Sequence, residues 1–83
     1  MATRTQNENT YEHWTDNADG TRTYWYELQR KYGWRARYVK IVDAQEKTIK
    51  FYQEIFNEHG ELIELHEKYP VDTGHKRAGN TNL

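Results

Sequence analysis

The chain has no cysteine, a single proline and a single methionine. Without cysteine there is no disulfide and no thiolate metal site, so the fold must be held by packing and hydrogen bonds alone. Hydrophobic residues make up only 35% of the 83 positions, and no apolar run is long enough to cross a membrane as a helix. The opening MATRTQNEN carries no apolar segment and so does not resemble a signal peptide; a soluble cytoplasmic protein is the expectation. A net charge of −1 excludes a globally basic chain of the kind that coats nucleic acid. No phosphate-cradling glycine loop, nucleophile elbow or Ser/His/Asp grouping is visible, so neither an enzyme nor a bound cofactor is expected.

What the chain does have is aromatic. Three Trp, seven Tyr and two Phe account for 14% of the residues. With few aliphatic side chains, these must supply much of the core, each burying roughly 150–250 Å². One domain over 1–83 is expected, with loose polar tails at 1–9 and 76–83. A small, polar, aromatic-rich sheet can also complete its core against a copy of itself, which makes a homodimer one candidate state.

Turn chemistry sets the expected strands. Asn17-Ala18-Asp19-Gly20-Thr21 fits a three-residue hairpin loop with glycine in the left-handed conformation. It puts Asp16 opposite Arg22, Thr15 opposite Thr23 and Trp14 opposite Tyr24, three favourable cross-strand pairs. Lys31-Tyr32-Gly33 is a second break, and Trp34 to Val42 then alternates as a strand. Trp34, Ala36, Tyr38 and Val42 fall on one face, with Arg35, Arg37, Val39 and Ile41 on the other.

The segment Thr48–Pro70 admits two readings. Asp43 with Glu46 three residues on has the spacing of a capping box, which supports an α+β alternative with a helix at about 44–58. Against it stand β-branched and aromatic residues, which are weak helix formers, and Asn57-Glu58-His59-Gly60, which repeats the grammar of the first turn. A second hairpin there sets Ile55 opposite Ile63, Gln53 opposite Leu65, Phe51 opposite Glu67 and Ile49 opposite Tyr69. Ile49, Phe51, Ile55, Ile63, Leu65 and Tyr69 then share a core face, but Glu54 meets Glu64 and Lys50 meets Lys68 as like charges. The favoured fold class is mostly β, an antiparallel meander with strands at about 11–15, 22–30, 34–42, 47–57 and 61–69. Val71–His75 reads as an exit loop. The unit IFNEHGELIEL resembles the glycine-punctuated hairpins of YD-type repeats in large bacterial surface proteins; that resemblance implies a hairpin and no function.

Charge is uneven. From Thr21 to Val42 there are six Lys/Arg against one Glu, whereas Asp43 to Tyr69 holds three Lys against seven acids. The basic stretch interleaves with Tyr24, Trp25, Tyr26, Tyr32, Trp34 and Tyr38, a mixture found both at protein interfaces and on sheets that stack on single-stranded nucleic acid. The leading expectation is a non-enzymatic protein–protein interaction module with Trp25, Trp34, Arg35, Arg37 and Tyr38 as partner-binding residues. A single-stranded nucleic-acid-binding β-domain using 22–40 is the alternative, and it needs Arg35 and Arg37 to share an open face with aromatics. His66, Asp72 and His75 are a weak metal-ligand set without supporting spacing, and no metal is expected.

Overall fold

Turns of one design punctuate the chain. In Asn17–Thr21, Arg30–Trp34, Asp43–Lys47 and Asn57–Glu61, the first residue's N–H donates to the last residue's carbonyl at 2.7–2.9 Å. Left-handed residues close them: Gly20 at φ 88°, Gly33 at 79°, Glu46 at 65° and Gly60 at 80°. An added Cβ at Gly60 would meet nothing within 4 Å, so only the backbone opposes a side chain there. Gly60→Ala is therefore expected to cost about 1 kcal/mol in a urea melt; an unchanged midpoint would contradict the left-handed assignment.

The computed structural model describes residues 2–72 in full and the backbone of 74–77. After a short helix α1 (Arg4–Thr10) come strands β1 (His13–Asp16), β2 (Arg22–Gln29), β3 (Arg35–Val42), β4 (Thr48–Phe56), β5 (Leu62–Tyr69) and β6 (Gly74–Arg77). All pair antiparallel in sequence order, an open meander. The β-rich reading holds, and the α+β alternative does not: 48–56 is strand. Asp43 does not cap a helix; its Oδ1 accepts from the backbone N–H of Gln45 and Lys47 inside a turn, each at 2.9 Å.

The first hairpin has the expected register throughout, with Asp16 opposite Arg22, Thr15 opposite Thr23 and Trp14 opposite Tyr24. In the second the turn is as expected but the register is not. Phe56 pairs with Leu62, but then Ile55 pairs with Glu64, Glu54 with Leu65, Gln53 with His66, and Phe51 with Tyr69. Two irregularities, next to Ile63 and Lys68, each shift β5 by one residue. The slip removes the like-charge pairs. Glu54 faces Leu65, and Lys50 Nζ lies 3.5 Å from Glu67. The expected core face is correspondingly wrong: Leu65 turns to the other side, and Ile49, skipped by a shift between β3 and β4, is exposed.

Two further expectations fail at the ends. Residues 4–10 belong to α1, whose capping box joins Thr3 and Gln6: Thr3 N donates to Gln6 Oε1 at 2.9 Å and Gln6 N to Thr3 Oγ1 at 3.2 Å. Seven residues are too few for a stable isolated helix, so its contacts with the sheet must hold it. Residues 74–77 form β6, where an exit loop and the start of a tail were expected; the rest of the expected tail lies outside the described residues.

The sheet is a single layer, with α1 over one end of one face. On this helix face Tyr11 packs against Tyr24 and Tyr26, with ring centroids 5.7 and 5.4 Å apart. Tyr24 and Val42 are fully buried beside it. Polar contacts fasten the helix. Glu46, 8% exposed, accepts from Asn7 Nδ2 at 2.9 Å, Tyr24 OH at 2.8 Å and Arg4 Nε at 3.1 Å. Arg22 forks onto Asp16 and reaches Glu8 at 2.7 Å. Desolvation opposes charge on Glu46, but these three donors outweigh it and hold its pKa below the usual glutamate value.

Candidate functional site

Alternation along β2, β3 and β4 sorts the expected site residues onto two faces. Trp25 pairs with Val39, and Glu27 with Arg37, so Trp25, Arg35 and Arg37 share the face opposite α1. Trp34 and Tyr38 lie on the helix face. The structure thus brings three of the five together and separates the other two.

The helix-face pair has structural partners. Tyr38 stacks on Tyr26 with centroids 4.9 Å apart, and its hydroxyl accepts from Gln53 Nε2 at 3.1 Å. The Trp34 indole N–H donates to Glu58 Oε2 at 2.7 Å and closes one end of the sheet onto a turn.

The other face is open: among the described residues no helix or second sheet lies over it. Val39 is buried at its centre, ringed by half-buried Trp25, Ile41, Tyr52 and Phe56. Trp25 stacks on His13 at 5.5 Å. The guanidinium groups of Arg35 and Arg37 sit 5.2 and 5.0 Å from the Phe56 ring centroid. Both also contact Glu27 Oε2, at 3.3 and 3.0 Å, and Arg37 lies 3.9 Å from Glu54. Lys50 reaches over Tyr52, 5.5 Å from its centroid. Burial pushes the Glu54 carboxyl above its usual pKa, with Arg37 partly opposing.

The arrangement is an apolar, aromatic centre rimmed by Arg35, Arg37 and Lys50 alternating with Glu27, Glu54 and Glu67. Its charges balance, and both arginines are engaged by the Phe56 ring and by carboxylates. Such a surface offers apolar, aromatic and charge-paired contacts side by side. Sequence reading missed Phe56, Tyr52 and Glu27. The signal for Glu27 was present: a loop at Lys31–Gly33 puts it directly across from Arg37.

At the far side of the sheet, His66 Nε2 lies 2.6 Å from Asp72 Oδ1. The backbone of His75 pairs with His66, but its side chain lies outside the described residues. Among the described residues no helix is long and apolar enough to cross a membrane. Compared with protein-family models, with curated proteins and with solved structures, the chain matches none.

Proposed function

We propose that the protein is a non-enzymatic interaction module that docks a partner protein on the open face of its sheet. The observation that carries this reading is the half-exposed ring of Trp25, Tyr52 and Phe56 around buried Val39, with its rim of paired charges. Protein interfaces combine an apolar, aromatic and arginine-rich centre with a polar rim, and arginines already held by a ring and carboxylates lose little freedom on binding. Trp25, Arg35 and Arg37 are the contact residues in this reading. Trp34 and Tyr38 hold the opposite face together. A second copy of the chain is one partner with the right chemistry, because a face carrying both charge signs can complement itself.

The nucleic-acid alternative has one observation in its favour, since Arg35 and Arg37 do share an open face with aromatics. Against it, Glu27 and Glu54 already compensate both cations, and the face as a whole carries no surplus of positive charge for phosphates.

Two exposed leucines on opposite faces allow a matched test. Leu65, 40% exposed, lies on the open face and Leu28, 48% exposed, on the helix face. Leu65→Arg is expected to abolish partner capture from the native host, or self-association in light scattering, while Leu28→Arg leaves it intact. Equal loss in both variants would contradict the assignment of the face. Salt-dependent quenching of Trp fluorescence by poly-dT would favour the nucleic-acid reading instead.

A further inference from the structure

The helix face carries a second feature that the partner surface does not use. Where α1 ends over β3 and β4, a cleft of about 460 Å³ opens, lined by Tyr11, Lys40, Lys47, Thr48, Phe51 and Tyr69. This volume lies in the usual range of small-molecule sites, ~300–1,000 Å³, and the lining has the usual character: aromatic walls with a few convergent polar groups. We propose that the cleft binds a small aromatic carboxylate, its ring against Phe51, Tyr69 and Tyr11 and its anion on Lys40 and Lys47.

The charge pattern selects an anion. Among the described residues no carboxylate lines the cleft, yet two ammonium groups do. Lys40 Nζ donates to Asn7 Oδ1 at 2.8 Å and stands 5.9 Å from the Tyr11 ring centroid. Among the described residues its hydrogen-bond partner is thus a neutral amide, which leaves two of its three N–H donors for a ligand. Asn7 is fixed in this orientation because its Nδ2 donates to Glu46, so the amide can present only its oxygen to Lys40. Glu46 is the acid whose charge acts on Lys40, and its oxygens accept from Arg4, Asn7 and Tyr24. Burial lowers the Lys40 pKa, with the Glu46 charge partly opposing, as fits a partly buried ammonium whose direct contact is an amide oxygen. Lys47 is exposed at the rim, where it can swing onto the same anion.

The aromatic walls select the body. Phe51 and Tyr69 are cross-strand partners on β4 and β5 and Tyr11 comes from the end of α1, so the walls belong to separate elements held by the sheet and the helix clasp. A planar ring can lie against them while its carboxylate reaches Lys40. A bare inorganic anion would leave these walls unused, and a neutral ring would leave the ammonium unmatched.

Amide chemical shifts of the full chain, titrated at neutral pH with 2-naphthoate, 2-naphthalenemethanol and acetate, test the proposal. Naphthoate is expected to give saturable shifts at Lys40, Lys47, Phe51 and Tyr69. The neutral alcohol and acetate are each expected to bind about tenfold more weakly or worse. Lys47→Met, at an exposed position, is expected to weaken naphthoate severalfold with an otherwise unchanged spectrum, and Lys40→Met to weaken it further. No saturable shifts, equal binding of the alcohol, unchanged affinity in both lysine variants, or shifts centred on Trp25 and Phe56 would each overturn it. The cleft and the partner surface lie on opposite faces, so failure here leaves the interaction reading standing, and the reverse also holds.

Discussion

Replacing Glu46 with alanine is expected to release α1 from the sheet and to cost about 2–4 kcal/mol of stability. The reason lies in what the carboxylate collects. Asn7, Tyr24 and Arg4 all donate to it, and Lys40 is tied in through Asn7. Removing the acceptor leaves the Tyr24 hydroxyl and the Asn7 amide buried without it, and unmade buried hydrogen bonds cost more than made ones contribute. Arg4 is half-exposed, so its share is small. Glu46 also sits at φ 65°, where glycine would be less strained by about 1 kcal/mol. The side chain must therefore offset the backbone it stands on. Glu46→Gly separates the two: it relieves the turn but still loses the helix. Acid should act in the same way. Because Glu46 is held below its ordinary pKa of 4.5 in the folded chain, its contribution is present above that value and lost as pH falls through the lower, folded one. Amide exchange in 4–10 is expected to rise in that window in the native chain. Helix protection that survives Glu46→Ala would contradict this account of the clasp.

Tyr24→Ala is expected to be the most damaging core substitution, at about 3–5 kcal/mol, enough to unfold a chain of this size at room temperature. Tyr24 is fully buried, packs against Tyr11 and Trp14, lies under the Arg22 guanidinium and donates to Glu46. Tyr24→Phe keeps the ring and removes only the hydroxyl, for about 1–2 kcal/mol. Thermal melts of the two variants separate packing from hydrogen bonding. If Tyr24→Ala melted close to the native chain, the core would not be centred where the helix docks.

Much of this sheet was legible because its turns are written in short range. Asn17 to Thr21 fixed both the loop and the register of the first hairpin, since no bulge follows it. The second hairpin shows the limit. Asn57 to Gly60 marked the turn correctly, but the register slips at Ile63 and Lys68, where no glycine marks a bulge. The like-charge pairs Glu54–Glu64 and Lys50–Lys68 were the available warning, because a register that creates them invites a slip that removes them. The helix was missed for a different reason. Its buried side is polar, built on Asn7 rather than on an apolar stripe, so periodicity carries no signal for it. The Thr3–Gln6 capping box was there to be read, while the same spacing at Asp43–Glu46 pointed to a helix that does not form.

The candidate site was half legible. Strict alternation through Trp34–Val42 put Arg35 and Arg37 opposite Trp34 and Tyr38, as observed. Which face stays open depends on where α1 lands, and that is set by Glu46 and Arg22 through contacts far apart in sequence. The basic and acidic halves also remain side by side, because sheet order follows chain order; they meet where Arg37 on β3 faces Glu54 on β4.

The proposed function requires a partner protein to cover the open face. A photo-crosslinking benzophenone side chain placed at Leu65, and in a separate variant at Leu28, tests it most directly in the native host. A discrete protein adduct from the Leu65 position, absent from Leu28 and lost when Arg37→Glu is added, is the predicted result. Adducts of equal yield from both positions, or from Leu28 alone, would contradict it.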